Sequence, residues 1–206
     1  MNVIKIHNPE KLFFTSDTHF SHNAILEYAN RPFSDIKTHD EILIKNWNNS
    51  VPSDGIVIHQ GDFSMGLRSE KLKWILESLN GIIYLIKGNH EKDIMKKAWA
   101  RLYFENIQLR YDIDIIHNGE IITIIADHYP LLTWNKKIHG SYHTHGHCHG
   151  TIRYPDSKSY DVGVDANNYS PISYYDLMEK FEQKKLKPHT KPKIPNFGSN
   201  PFKFIF

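Results

Sequence analysis

Five short polar stretches, each at the end of an apolar run of strand length, constrain this chain more than any other feature. In chain order they are Asp17-Thr18-His19, Gly61-Asp62, Gly88-Asn89-His90, His128 and Gly146-His147-Cys148-His149. They supply the carboxylate, amide and imidazole donors that divalent first-row transition metals accept as ligands. The carboxyl ends of strands in open α/β sheets are where ligands bind. The pattern therefore predicts a site for two metal ions at the ends of these strands.

The size and charge of the chain predict one domain followed by a basic tail. A chain of 206 residues with 40% hydrophobic content can bury one sizeable core. After Glu182 there are six lysines and no acidic residue, which leaves 19 basic against 23 acidic residues in the body. We expect a domain over residues 1–182 and a tail over residues 183–206. The tail is a solvated extension, a segment that docks on the body or on a second subunit, or a segment that contacts nucleic acid through its phosphates.

Cysteine content and hydropathy bear on the compartment. The single cysteine, Cys148, excludes an internal disulfide framework and favours a reducing environment. The first five residues lack the apolar core of a signal peptide, and the longest apolar stretches, residues 82–86 and 121–126, are far too short to span a bilayer. We expect a soluble, cytoplasmic protein with no membrane partner. The sequence leaves its oligomeric state open.

The first half of the chain alternates strand and helix patterns. Residues 12–16, 56–58 and 82–86 are short apolar runs that predict buried strands. Between them, Thr38 and Glu41 have the spacing of a capping box before an amphipathic helix, and residues 69–79 predict a second helix. Each strand runs into one of the polar stretches.

The second half predicts further strands and a closing helix. Residues 111–117 and 120–126 flank Asn118-Gly119, which is a strong hairpin signal. Residues 142–145 and 159–164 predict two more strands, and Ser173 with Asp176 three residues later marks the start of the last helix. We expect two packed mixed sheets with helices outside, and the site where their strand ends converge.

The spacing within the polar stretches suits two adjacent ions. Asp17 and His19 lie two apart, as do His147 and His149, so each pair can face one side of the chain. Asp62 has two carboxylate oxygens and can bridge two cations. Two such ions, about 3.5–4 Å apart, lower the pKa of a bound water and clamp both oxygens of a displacement at phosphorus.

These ordered motifs resemble those of the calcineurin-like metallophosphoesterase superfamily over about residues 11–182. The likeness is to its small bacterial and phage-type members. The stretches that carry it are Thr15-Ser16-Asp17-Thr18-His19-Phe20-Ser21-His22, Asn30-Arg31-Pro32-Phe33, His128-Tyr129-Pro130-Leu131 and Asp161-Val162-Gly163-Val164-Asp165. The resemblance implies an α/β (α+β) fold, a four-layer αββα sandwich of two mixed β-sheets flanked by helices, with the dimetal site at the strand ends.

The resemblance also implies roles for individual residues. It assigns Asp17, His19 and His149 to the first metal, Asn89, His128 and His147 to the second, and Asp62 to both as the bridge. It makes His90 the general acid that protonates the leaving oxygen, a task that suits an imidazole near neutral pH. The family pattern often has an acidic or histidine residue shortly after the bridging Asp, but residues 63–66 contain neither. The group that orients His90 therefore stays open.

Three further residues are candidates for contact with the substrate. Arg31 suits a bidentate clamp on a phosphate, although it also fits an ordinary surface arginine before a proline turn. His22 and His145 lie close in sequence to the predicted ligands, although either one fits a histidine hydrogen-bonded within the fold. Trp134 is a weaker candidate for stacking on a base, against a place in the core.

Together these observations predict a hydrolase that uses two divalent metal ions, with Mn²⁺ ahead of Fe, Zn²⁺, Co²⁺ or Ni²⁺. We expect a phosphodiesterase on a nucleotide-like substrate, in which a metal-bound hydroxide attacks phosphorus. A phosphomonoesterase, a nuclease that holds nucleic acid through the lysine-rich tail, and an inert binding scaffold of the same fold remain as alternatives.

Overall fold

The computed structural model describes residues 3–66, 68–117, 119–152 and 157–184. Its strands are β1 (Val3–Ile6), β2 (Leu12–Thr15), β3 (Ile56–His59), β4 (Ile82–Ile86), β5 (Phe104–Gln108), β6 (Arg110–His117), β7 (Glu120–Asp127), β8 (Tyr142–His145), β9 (Ser159–Asp161) and β10 (Ile172–Ser173). Its α-helices are α1 (Ile25–Tyr28), α2 (Ile36–Ser50), α3 (Ser69–Ser78), α4 (Lys92–Lys96), α5 (Ala98–Arg101) and α6 (Tyr174–Glu182). From residue 185 onward, the predicted basic tail lies outside the described residues.

The first sheet has the strand order β10-β2-β3-β4-β5, in which β2 to β5 are parallel and β10 is antiparallel to β2. Its strand β2 is buried along its whole length, which explains why its sequence is an apolar run rather than an alternating pattern. Successive side chains point to opposite faces. Phe13 therefore packs with Trp47 on the helix side, while Phe14 packs toward the second sheet.

The second sheet has the strand order β1-β6-β7-β8-β9. Strands β6 and β7 pair antiparallel, with His117 opposite Glu120, which confirms the predicted hairpin pairing; Asn118 itself lies outside the described residues. Strand β1 pairs parallel with β6. It was not predicted, because it has only four residues, Lys5 interrupts its apolar run, and its partner strand lies more than a hundred positions away.

Apolar side chains from both sheets form the layer between them, as Ile58 and Ile86 meet Ile113 and Ile124. Helices α2 and α3 cover the outer face of the first sheet. The segment of residues 129–141 covers the outer face of the second, where Trp134 stacks on a histidine of β8 and the Asn135 amide donates to the Asp112 carboxylate. These layers confirm the predicted sandwich of two mixed sheets.

Helix boundaries follow from their caps. Helix α2 begins at Ile36, because the Asp35 carboxylate accepts a hydrogen bond of 2.8 Å from the backbone N–H of Thr38. The predicted start at Thr38 is therefore wrong. The predicted start of α6 is confirmed, since the Ser173 hydroxyl accepts from the backbone N–H of Asp176. Among the described residues, none of the helices combines the length and apolar character of a bilayer span.

Candidate metal centre

The ends of five strands from both sheets converge at one place. Asp17 follows β2, Asp62 follows β3 and Asn89 follows β4 in the first sheet. His128 follows β7, and His147 and His149 follow β8, in the second sheet. The predicted convergence of strand ends is therefore observed, and it brings all the predicted ligand residues to one region.

Two groups of side chains within this region have the geometry to hold one metal ion each. In the first group, ligand atoms of Asp17, His19 and His149 all lie within 4.8 Å of one another. In the second group, those of Asp62, His128 and His147 satisfy the same limit. The side-chain oxygen of Asn89 is 3.1 Å from Nε2 of His128, so Asn89 adjoins the second group.

The carboxylate of Asp62 lies between the two groups. Its Oδ2 atom is 3.5 Å from Nε2 of His19 in the first group and 3.6 Å from Nε2 of His128 in the second. Its Oδ1 atom accepts a hydrogen bond of 2.9 Å from the backbone N–H of His90. The carboxylate is therefore fixed in orientation and within reach of both groups.

The loops that carry these ligands have unusual backbone conformations. A positive φ occurs at five of the seven predicted ligands, which are Asp17 at 56°, His19 at 48°, Asp62 at 55°, His147 at 68° and His149 at 49°. This left-handed region is disfavoured for residues with a Cβ, and such strain is concentrated at functional sites. Hydrogen bonds between loops hold the conformation, such as that from Asp17 N–H to the Gly61 carbonyl.

Glycine 146 allows the first and last ligand loops to approach closely. A Cβ at Gly146 would lie 2.0 Å from the Ser16 hydroxyl and 2.4 Å from a carboxylate oxygen of Asp17. The next residue, His147, donates its backbone N–H to the same carboxylate at 2.9 Å. The close contact therefore requires a glycine before His147.

Hydrogen bonds to Nδ1 orient two of the imidazoles. Nδ1 of His128 is 2.8 Å from the carbonyl oxygen of Gln60, which can only accept, so the proton of His128 lies on Nδ1. Nδ1 of His149 is 2.7 Å from the Asp165 carboxylate. Each bond places a proton on Nδ1 and leaves Nε2 as the nitrogen that can bind a metal, which is how metal-binding histidines are typically held.

The side chain of Arg31 is buried beneath the loops that carry the candidate ligands. Its side chain is 0% exposed, and its guanidinium donates to both carboxylate oxygens of Asp165 at 2.7 and 2.8 Å. The remaining N–H groups reach the backbone carbonyls of Asp17 and Thr18 and the ring of His39. All five donors are thus engaged inside the protein, and a clamp on a phosphate would require Arg31 to leave these partners.

The electrostatics of the centre fit two divalent cations. Asp17 and Asp62 are 0% and 2% exposed, and buried carboxylates require a compensating cation. Burial, followed by repulsion from Asp62 and Asp161, raises the pKa of Asp17 well above its usual value. Burial and neighbouring His149 lower the pKa of His19, and its Nε2 atom has no hydrogen-bond partner among the described residues. Unpaired imidazole nitrogen beside buried carboxylates is the donor set of a transition-metal site.

His90 and His22 lie on the accessible side of the centre. The His90 side chain is 30% exposed, and its Nε2 atom lies 4.0 Å from Oδ2 of Asp62. The ring of His22 is 5.9 Å from that of His90 and 5.3 Å from that of His19. Both predicted residues therefore adjoin the metal groups. Residues 63–66 contain no acidic side chain that could orient His90. The carboxylate beside the His90 ring is that of Asp62 itself.

Two other candidates have different surroundings. His145 is buried and lines a cavity of about 700 Å³ together with His149 and Asp165; its contact with substrate stays a prediction. Trp134 is 7% exposed, and its indole N–H donates to Ser141. This burial favours the core position that the sequence left open for Trp134.

Two acidic residues of the site were missed from the sequence. Asp165 joins His149 to Arg31, and the only signal was its place in the motif Asp161-Val162-Gly163-Val164-Asp165. Glu91 is buried, and its carboxylate accepts the backbone N–H groups of Phe63 and Gly88. Glu91 thereby ties the loop after β3 to the loop after β4.

Comparison with known proteins identifies the family. The chain matches the family model of calcineurin-like phosphoesterases over residues 10–199, and it belongs to this family. It is therefore a metal-dependent hydrolase of phosphoester bonds. This membership favours an enzyme over the inert binding scaffold that the sequence left open.

The chain is also similar to individual proteins over most of its length. An uncharacterized protein of Methanocaldococcus jannaschii, MJ1445, is 36% identical over 176 residues, which is 84% of this chain and 92% of the relative. The gene 66 protein of Mycobacterium phage L5 is 27% identical over 199 residues, which is 83% of this chain and 95% of the phage protein. A crystal structure of a protein of unknown function from Aquifex aeolicus, AQ665, shares the fold, with a TM-score of 0.62 and 23% identity over 82% of this chain and 98% of its own.

Proposed function

We propose that the protein is a phosphodiesterase that hydrolyses a nucleotide-like substrate with two divalent metal ions, of which Mn²⁺ is the first choice. The observation that carries this proposal is the position of the Asp62 carboxylate, with one oxygen 3.5 Å from His19 and 3.6 Å from His128. A carboxylate between two groups of nitrogen and oxygen donors has the arrangement that a pair of bridged ions needs.

Asp17, His19 and His149 would hold the first ion, Asn89, His128 and His147 would hold the second, and Asp62 would contribute to both. When bound, the ions would neutralise charge on the phosphate and supply a water molecule of lowered pKa at the site. The hydrogen bonds from Nδ1 of His128 and of His149 hold the Nδ1 proton of both residues and leave Nε2 available as a ligand atom.

His90 is the proposed general acid. Its ring lies beside Asp62 and His19 on the accessible side of the centre, where a leaving group can depart into solvent. The backbone hydrogen bond from His90 to Asp62 fixes its position relative to the bridging carboxylate. We propose that His90 donates a proton to the leaving alkoxide oxygen, which would otherwise depart as a strong base.

The state of Arg31 supports a diester rather than a monoester. A phosphate monoester carries between one and a half and two negative charges near neutral pH, whereas a diester carries one. The guanidinium of Arg31 is fully engaged by Asp165, His39 and two backbone carbonyls, so it cannot also bind a second phosphate charge. The histidines at the accessible side then suit the less charged substrate.

The test compares hydrolysis of bis-p-nitrophenyl phosphate with that of p-nitrophenyl phosphate, after chelation of metals and return of Mn²⁺. We expect Mn²⁺-dependent cleavage of the diester to exceed that of the monoester. His7→Ala is expected to leave both rates unchanged. His7 is exposed and follows β1, at the end of the second sheet away from His128. Faster cleavage of the monoester would replace the phosphodiesterase with a phosphomonoesterase.

A further inference from the structure

One large aromatic side chain of the metal centre is open to solvent. Tyr129 directly follows the buried ligand candidate His128, yet 44% of its surface is exposed. Its ring centroid lies 4.7 Å from the rings of both His128 and His147, in tilted edge contacts. An exposed aromatic ring therefore forms part of the wall beside the second group.

The backbone on both sides of Tyr129 is fixed. Pro130 follows it, and a residue before proline is restricted to extended conformations. The backbone N–H of Tyr129 donates to the Asp127 carboxylate at 3.1 Å, and that of Leu131 donates to Nε2 of the buried His143 at 3.2 Å. A ring held in this way loses little conformational entropy when a ligand packs against it.

We propose that Tyr129 stacks on a nucleobase of the substrate and thereby selects nucleoside phosphoesters over esters that carry no base. This inference rests on the proposed function and adds to it the group that recognises the substrate. Trp134 does not supply this surface, because it is buried and hydrogen-bonded to Ser141.

The physical basis is the burial of two aromatic faces together. Stacking on an exposed ring removes apolar surface of both partners from water, and it tolerates different bases because each has a π-face. Since Tyr129 adjoins His128 and His147, a base on its ring lies next to a phosphate at the proposed metal pair. This predicts a preference for a base-bearing sugar phosphate with little discrimination among the four bases.

The test measures binding by calorimetry on the Mn²⁺-loaded protein, with thymidine 5′-monophosphate and deoxyribose 5-phosphate as probes that differ only in the base. We expect Tyr129→Leu to weaken binding of the nucleotide about tenfold, the order of one base–aromatic stack, and to change binding of the sugar phosphate less than about twofold. Tyr129→Phe keeps the ring and is expected to bind both probes as the unaltered protein does. The matched control is Tyr175→Leu, because Tyr175 is 48% exposed and contacts a histidine outside the site, His117.

Three outcomes would overturn the inference. The first is an equal loss for both probes with Tyr129→Leu, which would mean that Tyr129 only supports His128 and His147. The second is unchanged binding of the nucleotide, and the third is equal affinity of the unaltered protein for the two probes. Hydrolysis of the dinucleotide thymidylyl-thymidine, measured in parallel, tests the proposed function separately. Tyr129-dependent binding without hydrolysis would leave this inference standing and remove the phosphodiesterase.

Discussion

The two candidate metal groups differ in how the protein supports them. In the first group, Asp165 joins His149 to the buried guanidinium of Arg31, so its support is a chain of charged groups. In the second group, His128 is held by a neutral backbone carbonyl, that of Gln60, and His147 is exposed. The first group is thus enclosed and electrostatically anchored, whereas the second opens toward the solvent.

This difference predicts that the two groups differ in their affinity for a metal ion and in their access to substrate. A carboxylate on Nδ1 raises the basicity of a ligating imidazole more than a carbonyl does. We therefore expect the first group to bind its ion more tightly, and the second to exchange its ion and to face the substrate. Asp62 is part of the second group and lies 3.5 Å from His19 of the first, so a substitution at Asp62 is expected to affect both groups.

The largest effect is expected from Asp62→Asn. The substitution removes the negative charge shared by the two groups, so both ions should be lost or weakened and activity should fall by at least about a thousandfold. Steady-state hydrolysis and metal content per chain check this. His149→Ala is the comparison variant, since it removes a ligand of one group only; an equal loss of activity from the two variants would contradict the bridge.

The next effect is expected from His90→Ala, which tests chemistry apart from metal binding. Both ions should stay bound, while diesters with poor leaving groups should slow by about a hundredfold or more and activated nitrophenyl esters much less. The dependence of kcat on leaving-group pKa measures this. If both kinds of ester slow equally, His90 is not the general acid.

Asp165→Asn is expected to separate the two groups. Loss of the carboxylate charge beside Nδ1 of His149 should weaken binding of the first ion about 10- to 100-fold. The affinity for the second ion should stay within about twofold. Titration of the metal-free protein with Mn²⁺ measures both affinities. Thermal unfolding of the variant measures how much stability is lost when the buried Arg31 guanidinium has no carboxylate partner. Asp54→Asn is the matched control, because Asp54 is exposed and precedes β3, at the opposite end of that strand from Asp62. Equal weakening of both ions would remove the distinction between the groups.

The seven candidate ligands could be located from the sequence, because each lies in a short polar stretch that follows a strand-length apolar run. Strands such as Ile82–Ile86 could be predicted equally well from their apolar runs. The residues that support the candidate ligands could not be predicted. Arg31 and Asp165 lie 134 positions apart. No local sequence pattern shows that the Arg31 guanidinium forms a buried ion pair rather than contacting a substrate.

Exposure was the other property that the sequence did not reveal. Trp134 and Tyr129 are both aromatic residues close to a predicted ligand, and only the fold decides which is buried. Short elements were missed for a similar reason. Strand β10 has two residues, Ile172 and Ser173, and it exists because β2 offers a free edge, not because of its own composition.

The smallest expected effect concerns stability and pH at His143. Burial lowers the pKa of His143 from 6.5 to about 4, so the folded protein resists a proton that the unfolded chain accepts. The stability that this neutral imidazole provides is present above pH 6.5 and is lost as the pH falls toward 4, by about 1 kcal/mol per pH unit. Because His143 anchors the segment after His128 through Leu131, acid should loosen the second group first.

Urea unfolding of the metal-free protein at pH 7 and pH 5 checks this expectation. His143→Asn should lower stability at pH 7 and flatten the dependence on pH relative to the unaltered protein. His7→Asn, at an exposed histidine, should do neither. A dependence on pH that is as steep in His143→Asn as in the unaltered protein would assign it to other groups.

Electron paramagnetic resonance of the protein loaded with two equivalents of Mn²⁺ tests the central claim most directly. If Asp62 bridges two ions, the spectrum will be that of an exchange-coupled pair, and Asp62→Asn will abolish the coupling. A spectrum of isolated Mn²⁺ ions in the unaltered protein, or binding of a single equivalent, would contradict the two-metal centre.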